Sequence, residues 1–489
     1  MKKMNLLAMS LVSAAALSFS SCSSNDDLTG GAGNQSKVEG FYMTLAVQTP
    51  TSNGTRTQQQ NETVNANEDE SKVTSGTFYL VNAKGDIVFT KNITETEWKN
   101  AAPVLTTAGK TQIQVPVQNV TEGETYKVYF LANTTDAKPW ENIFAPTAEK
   151  FTAKNMFDAG YATANNFVMF NQNDMNSKAD KYTVKFEAAN KDINNAAKVS
   201  GTIMLDRVTA RIDKPETVEG IKITAKYPEG ATSEKKAAID AEIAKVKTVT
   251  QSNYAITNLS NKTNIMQKWN AAWTELEIPT DIAYMQKSKD LGDEWTLNNY
   301  GWFADAKKNY VFENTKKTPT TMYFEYKLDL DETKFTDDTP DFTDGTFYRY
   351  NGVIYRSIAA IYKAYQDQPI LFGGKSAADL LAELKPITVE GKTTISASAT
   401  ELANFRKTNV IEVFVAGKTY YSQVITDNWL NTNTIQRNTV YKLKVKNIYN
   451  LGADVPNGKP DENKPMYYLD VEVSVNPWVL STQDVNLGE

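Results

Sequence analysis

The 489-residue chain contains no histidine and only one cysteine, Cys22. The first absence removes the commonest general base and the commonest metal ligand. The second leaves the folded part of the chain without a thiol nucleophile, a disulfide or a zinc site of the Cys/His kind. No glycine-rich phosphate loop follows a strand, and no two of the many Asp and Glu residues stand out as a hydrolytic dyad. Catalysis is therefore not expected, nor is any cofactor or bound metal. Positive charge is also in short supply. The chain has 52 Lys and Arg against 58 Asp and Glu, a net charge of −6, and no basic patch. Nucleic acid is thus excluded as an expected partner. What is present, 41% hydrophobic and 22% charged residues, is ordinary for a folded soluble protein. The length suits two or more domains.

The chain opens with an export signal. Lys2 and Lys3 precede a mostly apolar or small run over residues 6–19, and Ser20-Ser21-Cys22 follows. The run is too short for a mature membrane span but suits a signal peptide. Small residues before a cysteine resemble the bacterial lipobox, whose thiol is acylated and becomes the new N-terminus, although Phe19 stands where Leu is usual. The alternative is an ordinary secretory signal with an incidental cysteine. Acylation at Cys22 would hold the protein on a membrane.

Residues 23–37 are polar and glycine-rich and read as a tether. In residues 40–48, Phe41, Met43, Leu45 and Val47 alternate with smaller or more polar residues, the period of a half-buried strand. Residues 49–72 are almost devoid of apolar side chains and carry one arginine, Arg56, as their only basic residue before Lys72. From 73 to 198 strands dominate. A hairpin is predicted around residues 83–86, an alternating strand at 112–117 and a central strand at 126–133, with short helices and loops over 137–180. Residues 199–214 read as a further strand at a domain junction. Helices are predicted at 233–249, at 354–366 with Ile354, Ile358, Ile361, Tyr362 and Tyr365 on one face, and at 376–384 behind a Ser376 cap. Strands at 411–415 and 420–425 could pair around Gly417-Lys418, and residues 439–448 alternate sharply. Residues 450–465 form a polar Gly/Pro/Asn/Asp/Lys linker. In the last strand Tyr467, Leu469, Val471, Val473 and Val475 share one face, and Asp470, Glu472, Ser474 and Asn476 share the other. Asp329, Asp331, Asp337, Asp338, Asp341 and Asp344 crowd one segment without the spacing of a calcium loop, and read as a solvated acidic loop.

A one-faced strand thus stands near each end of the chain, each set off by a polar linker. Such a strand cannot bury its apolar face or satisfy its backbone groups without a sheet to join. If the first strand were cut away after Arg56, the terminal strand of another copy could take its place. A head-to-tail contact of that kind grows an open filament. The competing reading is that both strands belong to one monomeric sandwich.

Several segments resemble the fimbrillins of Bacteroidales-type pili, particularly the minor-fimbrium shaft subunits. They are the lipobox at Cys22, the strand over 41–48 followed by Arg56, the strand over 126–133, and Leu205-Asp206-Arg207-Val208-Thr209-Ala210-Arg211. The most specific are C-terminal: residues 437–445, Leu451-Gly452, and residues 471–478 ending in Pro477-Trp478. Residues from about 215 to 423 match nothing. The resemblance implies a mostly β protein of two β-sandwich, transthyretin-like domains with short helical insertions. It implies a signal peptide over 1–21, a propeptide over 22–56 removed by an arginine-specific protease between Arg56 and Thr57, domains over 57–199 and 200–449, and a linker and donor strand over 450–489. Tyr467, Leu469, Val471, Val473, Val475 and Trp478 would enter the next subunit, with Trp478 filling a pocket at the end of the groove. Partners would be identical subunits, accessory tip and anchor subunits, and the outer membrane until cleavage. The rival classes are a monomeric surface lipoprotein that binds glycans and, more distantly, an extracellular hydrolase.

Overall fold

The computed structural model describes residues 40–49, 64–66, 68–100, 110–133, 147–148, 162–174, 178–260, 262–280, 282, 304, 308–368, 370–428, 430–456 and 467–480. Cys22, Arg56 and Thr57 lie outside the described residues, which all belong to the unit Gly40–Glu489. Among them, no helix is long and apolar enough to cross a membrane.

The principal strands in chain order are β1 (Phe41–Gln48), β2 (Val64–Ala66), β3 (Gly76–Val81), β4 (Ile87–Ile93), β5 (Lys110–Val117), β6 (Thr125–Ala132), β7 (Met169–Asn171) and β8 (Ala197–Arg207). They continue as β9 (Ala210–Asp213), β10 (Val246–Thr257), β11 (Lys308–Val311), β12 (Thr321–Leu330), β13 (Lys418–Val424), β14 (Thr439–Tyr449) and β15 (Tyr468–Leu480). The fold is mostly β, in several sheets. The first sheet runs β4-β3-β6-β7-β8-β1-β5, the second β2-β15-β14-β9-β11, and the third β10-β12-β13. The chain crosses from the first sheet to the second at Val208-Thr209. There Val208 N donates to Val168 O at 3.0 Å and Asn438 N donates to Thr209 O at 2.8 Å.

Alternation explains the strands. β1 buries every second residue, and β14 keeps Lys442, Lys444 and Lys446 exposed while Tyr441, Leu443 and Val445 are buried. β6 is buried nearly throughout because it lies between β3 and β7. Three apolar cores result. One surrounds β1 and β6, and one lies beneath the second and third sheets. The third is a satellite built by α2 (Ile358–Ala364), α3 (Ala377–Ala382) and α4 (Ala399–Asn409), with Ile361, Leu380 and Phe405 at its centre. Another helix, α1 (Ser233–Ile243), stands ahead of β10.

Several expectations change. The helix expected over 233–249 stops at Ile243, because the β-branched residues from Val246 onward enter β10. The helix expected from Ile354 starts at Ile358, capped by Ser357. Ile354 is instead in a short strand, where its N–H donates to Glu242 Oε2 at 2.6 Å. α3 begins where expected, with Ser376 and Asp379 forming a reciprocal capping box. Residues 411–415 and 420–425 do not pair with each other. Glu412–Phe414 pairs with Phe347–Tyr350, whereas β13 pairs with β12. The turn between them places Ala416 and Gly417 at φ 52° and 72° and sends the chain to a different sheet. Between 147 and 180, the described residues form short strands and a 3-10 turn rather than α-helices.

The acidic segment is more structured than a solvated loop. Asp338 accepts from Arg356 N and Ser357 Oγ, and Asp341 accepts from Ile358 N and Tyr348 Oη. Asp344 accepts from Thr346 N and Thr394 Oγ1. These carboxylates fasten the satellite, and burial raises the pKa of Asp341.

Candidate functional site: the two terminal strands and the buried clamp between the sheets

β1 is an interior strand. It pairs antiparallel with β5 over eight positions, from Phe41↔Val117 to Gln48↔Lys110. On its other edge it pairs parallel with β8, from Met43↔Ala197 to Gln48↔Met204, with a register shift between Thr44 and Ala46. Phe41, Met43, Leu45 and Val47 are each no more than 1% exposed. Phe41 meets Phe186 with ring centroids 5.4 Å apart. Burial of four such side chains contributes a gross gain of about 6–12 kcal/mol. Removing β1 would open a trough between β5 and β8 and strip two rows of ladder partners.

β15 occupies a different sheet and a different kind of position. It pairs antiparallel with β14 over Tyr468↔Tyr449 to Pro477↔Thr439, with Leu469 opposite Ile448 and Val473 opposite Leu443. Its other edge meets β2 only at its end, where Val64, Asn65 and Ala66 pair with Trp478, Val479 and Leu480. Asn428 Nδ2 also donates to Val473 O at 2.7 Å. Leu469 is buried, while Tyr467, Val471 and Val473 are only partly buried against the second core. Asp470 and Glu472 face outward as alternation requires, and Glu472 pairs with Lys446 at 2.6 Å. Asn476, assigned by period to the solvent face, is instead buried. The side chains of Val475 and Trp478 lie outside the described residues. The two one-faced strands are therefore not brought into one sheet. The first is locked on both edges, and the second is held by one long ladder and a short clip.

A buried ionic clamp joins the segment after β2 to both sheets. Glu70, in the one-turn helix Glu68–Ser71, is 1% exposed. Its carboxylate receives Lys308 Nζ at 2.8 Å, Tyr310 Oη at 2.7 Å and Arg211 Nη1 at 3.3 Å. Its backbone oxygen accepts from Arg207 Nε at 2.8 Å, and Arg207 also donates to Ser71 Oγ and Asn438 Oδ1. Burial pulls the Arg207 guanidinium down to about 9 against the pull of Glu70, so it still carries its proton at neutral pH. Burial and the Glu70 contact both raise the Tyr310 phenol.

A second buried pair explains the motif that begins at Arg437. This residue is 1% exposed and pairs with Glu313 at 2.7 Å. It also donates to Ile265 O, Thr263 Oγ1 and Asn264 O, so one guanidinium serves three successive residues, two of them in the short strand Thr263–Asn264. Gly452 is required by close approach, since a Cβ there would lie 2.5 Å from Tyr420 O. Sequence reasoning quoted Arg207, Arg211, Arg437 and Gly452 without giving them roles, and it missed Glu70 and Glu313. Glu70 carries no local signal, because its partners lie more than 130 positions away.

No group of three or more His, Cys, Asp or Glu residues among those described could hold a metal ion. Comparison with known proteins gives two family matches. Residues 42–219 match the model described as major fimbrial subunit protein (FimA). Residues 412–484 match the model described as major fimbrial subunit protein type IV, fimbrillin, C-terminal. Both descriptions concern major subunits, whereas the resemblance read from the sequence pointed toward the minor-fimbrium shaft group. No curated protein matches. Among solved structures, one candidate cell adhesion protein from Parabacteroides distasonis ATCC 8503 shares 16% identity, with 91% of this chain and 99% of that one covered and a TM-score of 0.44. Another from the same organism shares 14% identity over 90% and 99%, with a TM-score of 0.45. A fimbrial assembly protein from that organism shares 15% identity over 60% and 99%, with a TM-score of 0.28. With both ends of the described fold matched by fimbrillin models, the chain belongs to the fimbrillin family of structural, non-enzymatic fimbrial subunits.

Proposed function

We propose that this chain is a shaft subunit of a surface fimbria, exported as a lipoprotein acylated at Cys22 and polymerised by strand exchange. An arginine-specific protease cuts between Arg56 and Thr57 and frees β1. The terminal strand of the next subunit then fills the trough between β5 and β8, led by Tyr467, Leu469, Val471, Val473, Val475 and Trp478. The observation that carries this reading is the contrast between the strands. β1 is an interior strand whose removal leaves a complete apolar vacancy, and β15 is held along one edge for most of its length. The clamp at Glu70 supports it too, because it fastens the chain on the retained side of Arg56. The reading includes two transthyretin-like sandwich domains, over 57–199 and 200–449, and a donor segment over 450–489. Identical subunits are its main partners, with tip and anchor subunits at the filament ends.

Processing is tested on purified surface filaments and on the Arg56→Ala variant. The expected N-terminus is Thr57, and the variant is expected to remain lipidated and monomeric. Lipidated Cys22 at the head of polymerised subunits would overturn the reading, as would normal filaments from Arg56→Ala.

A further inference from the structure

A cleft of about 990 Å3 lies between residues 213–222 and the outer edge of β10, over residues 247–254. Its charged lining is unbalanced. Arg211, Lys214, Lys222, Lys247 and Lys308 face it, against Asp213 and Glu216. In a chain of net charge −6 this is a local reversal of sign. Not all five cations are available. Arg211 is held by Asp213 and Glu70, Lys308 by Glu70, and Lys214 donates to Ala304 O. Lys222 and Lys247 are exposed, with Lys247 in the field of Asp331. Gln251 lines the same cleft. Its Oε1 accepts from Thr217 Oγ1 at 2.6 Å, and its Nε2 is buried without an acceptor among the described residues. A buried donor in that condition costs free energy until something supplies an acceptor.

The shape of the edge selects among anionic occupants. Among the described residues β10 pairs only with β12, which leaves an outer edge of the kind that accepts a peptide strand. However, β10 is bulged between Val246 and Thr248 and again between Gln251 and Asn253. Two bulges within the stretch that lines the cleft break the ladder register an added strand needs. The donors that remain usable are side chains: two lysines, the Gln251 amide and short hydroxyls such as Thr250. We propose that this cleft binds an extended anionic polysaccharide, with Lys222 and Lys247 pairing with its carboxylates or sulfates and Gln251 Nε2 donating to a sugar oxygen. Lys222, Lys247 and Gln251 lie outside both stretches matched by the fimbrillin models, whereas the opposite wall, Arg211 to Val218, lies within the first. The inference does not rest on strand exchange.

The test uses the full chain and an oligogalacturonate of about eight sugars, long enough to span the cleft, with binding read by titration calorimetry. One-to-one binding that weakens with added salt is expected. The double variant Lys222→Ala/Lys247→Ala should bind about tenfold more weakly, a loss of the size that two partly screened charge contacts provide. Gln251→Leu should also weaken binding with an unchanged salt dependence. Thermal unfolding of the double lysine variant should match the parent, since both lysines are exposed. Absent binding at low salt, equal binding of neutral dextran, or undiminished affinity in the double variant would each overturn the proposal. Tighter binding of a poly-glutamate peptide at the same lysines would overturn it in favour of an acidic protein partner.

Discussion

At the scale of single residues, the molecule depends on a few side chains that each satisfy many partners. Arg207, Arg211 and Arg437 stand in stretches singled out from the sequence, yet nothing local says what they bind. Glu70 and Glu313 complete their sites from far along the chain. Local polar devices are easier to read. Ser398 and Glu401 form a reciprocal cap at the start of α4, a spacing visible in the sequence but passed over there. A hydrogen bond from Lys385 Nζ at 2.6 Å, then the backbone N–H and hydroxyl of Ser398, lower the Glu401 pKa from the usual 4.5 to about 2. A carboxylate with a lowered folded pKa stabilises the fold above its unfolded value, and that contribution is lost as pH falls through the folded one. Protection of the α4 amides, the exchange rate relative to the intrinsic rate at the same pH, should therefore fall between pH 4.5 and 2, and Glu401→Gln should be less protected at pH 7 while losing most of that dependence. An identical pH profile in the variant would mean that the cap does not hold the helix.

At the scale of elements, periodicity identified the strands that alternate and misjudged where neighbouring strands go. β1, β5, β14 and β15 were legible because their apolar residues repeat every second position, and β6 because its apolar residues run consecutively, as in a central strand. The pair at 411–425 was not, because two adjacent residues at positive φ redirect the chain, and an Ala at φ 52° gives no sequence signal. The long ladder between β10 and β12 escaped for a similar reason. Its strands are separated by more than sixty residues, and β12 is buried on consecutive positions rather than alternate ones. Gly452 shows what element packing demands of a single position. The backbone there passes so close to Tyr420 and Thr419 of β13 that a methyl group would meet Tyr420 O at 2.5 Å and Thr419 Oγ1 at 2.7 Å. Gly452→Ala should destabilise the protein by about 1–3 kcal/mol, the usual cost of overpacking. Urea denaturation would measure it, and an unchanged midpoint would show that the two segments can separate without loss.

At the scale of the whole molecule, the question is why cutting a linker would release a strand as deeply buried as β1. The gross gain from its four buried side chains is about 6–12 kcal/mol. Ordering eight backbone residues costs about 8–16 kcal/mol, so ladder hydrogen bonds and the covalent tether decide the balance. While the tether is intact, the trough sees β1 at an effective concentration on the order of millimolar. After a cut at Arg56 that advantage is gone, and at micromolar protein the loss is about a thousandfold, or roughly 4 kcal/mol. On the proposed reading, release would then need no conformational trigger, and the segment anchored by Glu70 would stay behind. A free peptide of residues 38–56, added in large excess to cut subunits, should reoccupy the trough and suppress filament growth seen by light scattering. The same peptide carrying Leu45→Asp should not, because Leu45 is fully buried and a carboxylate in that place would have no partner. If both peptides leave growth unchanged while the subunits begin at Thr57, cleavage is right but β1 and the terminal strand do not compete for one groove. Growth blocked equally by both peptides would point to a nonspecific effect and remove the same support.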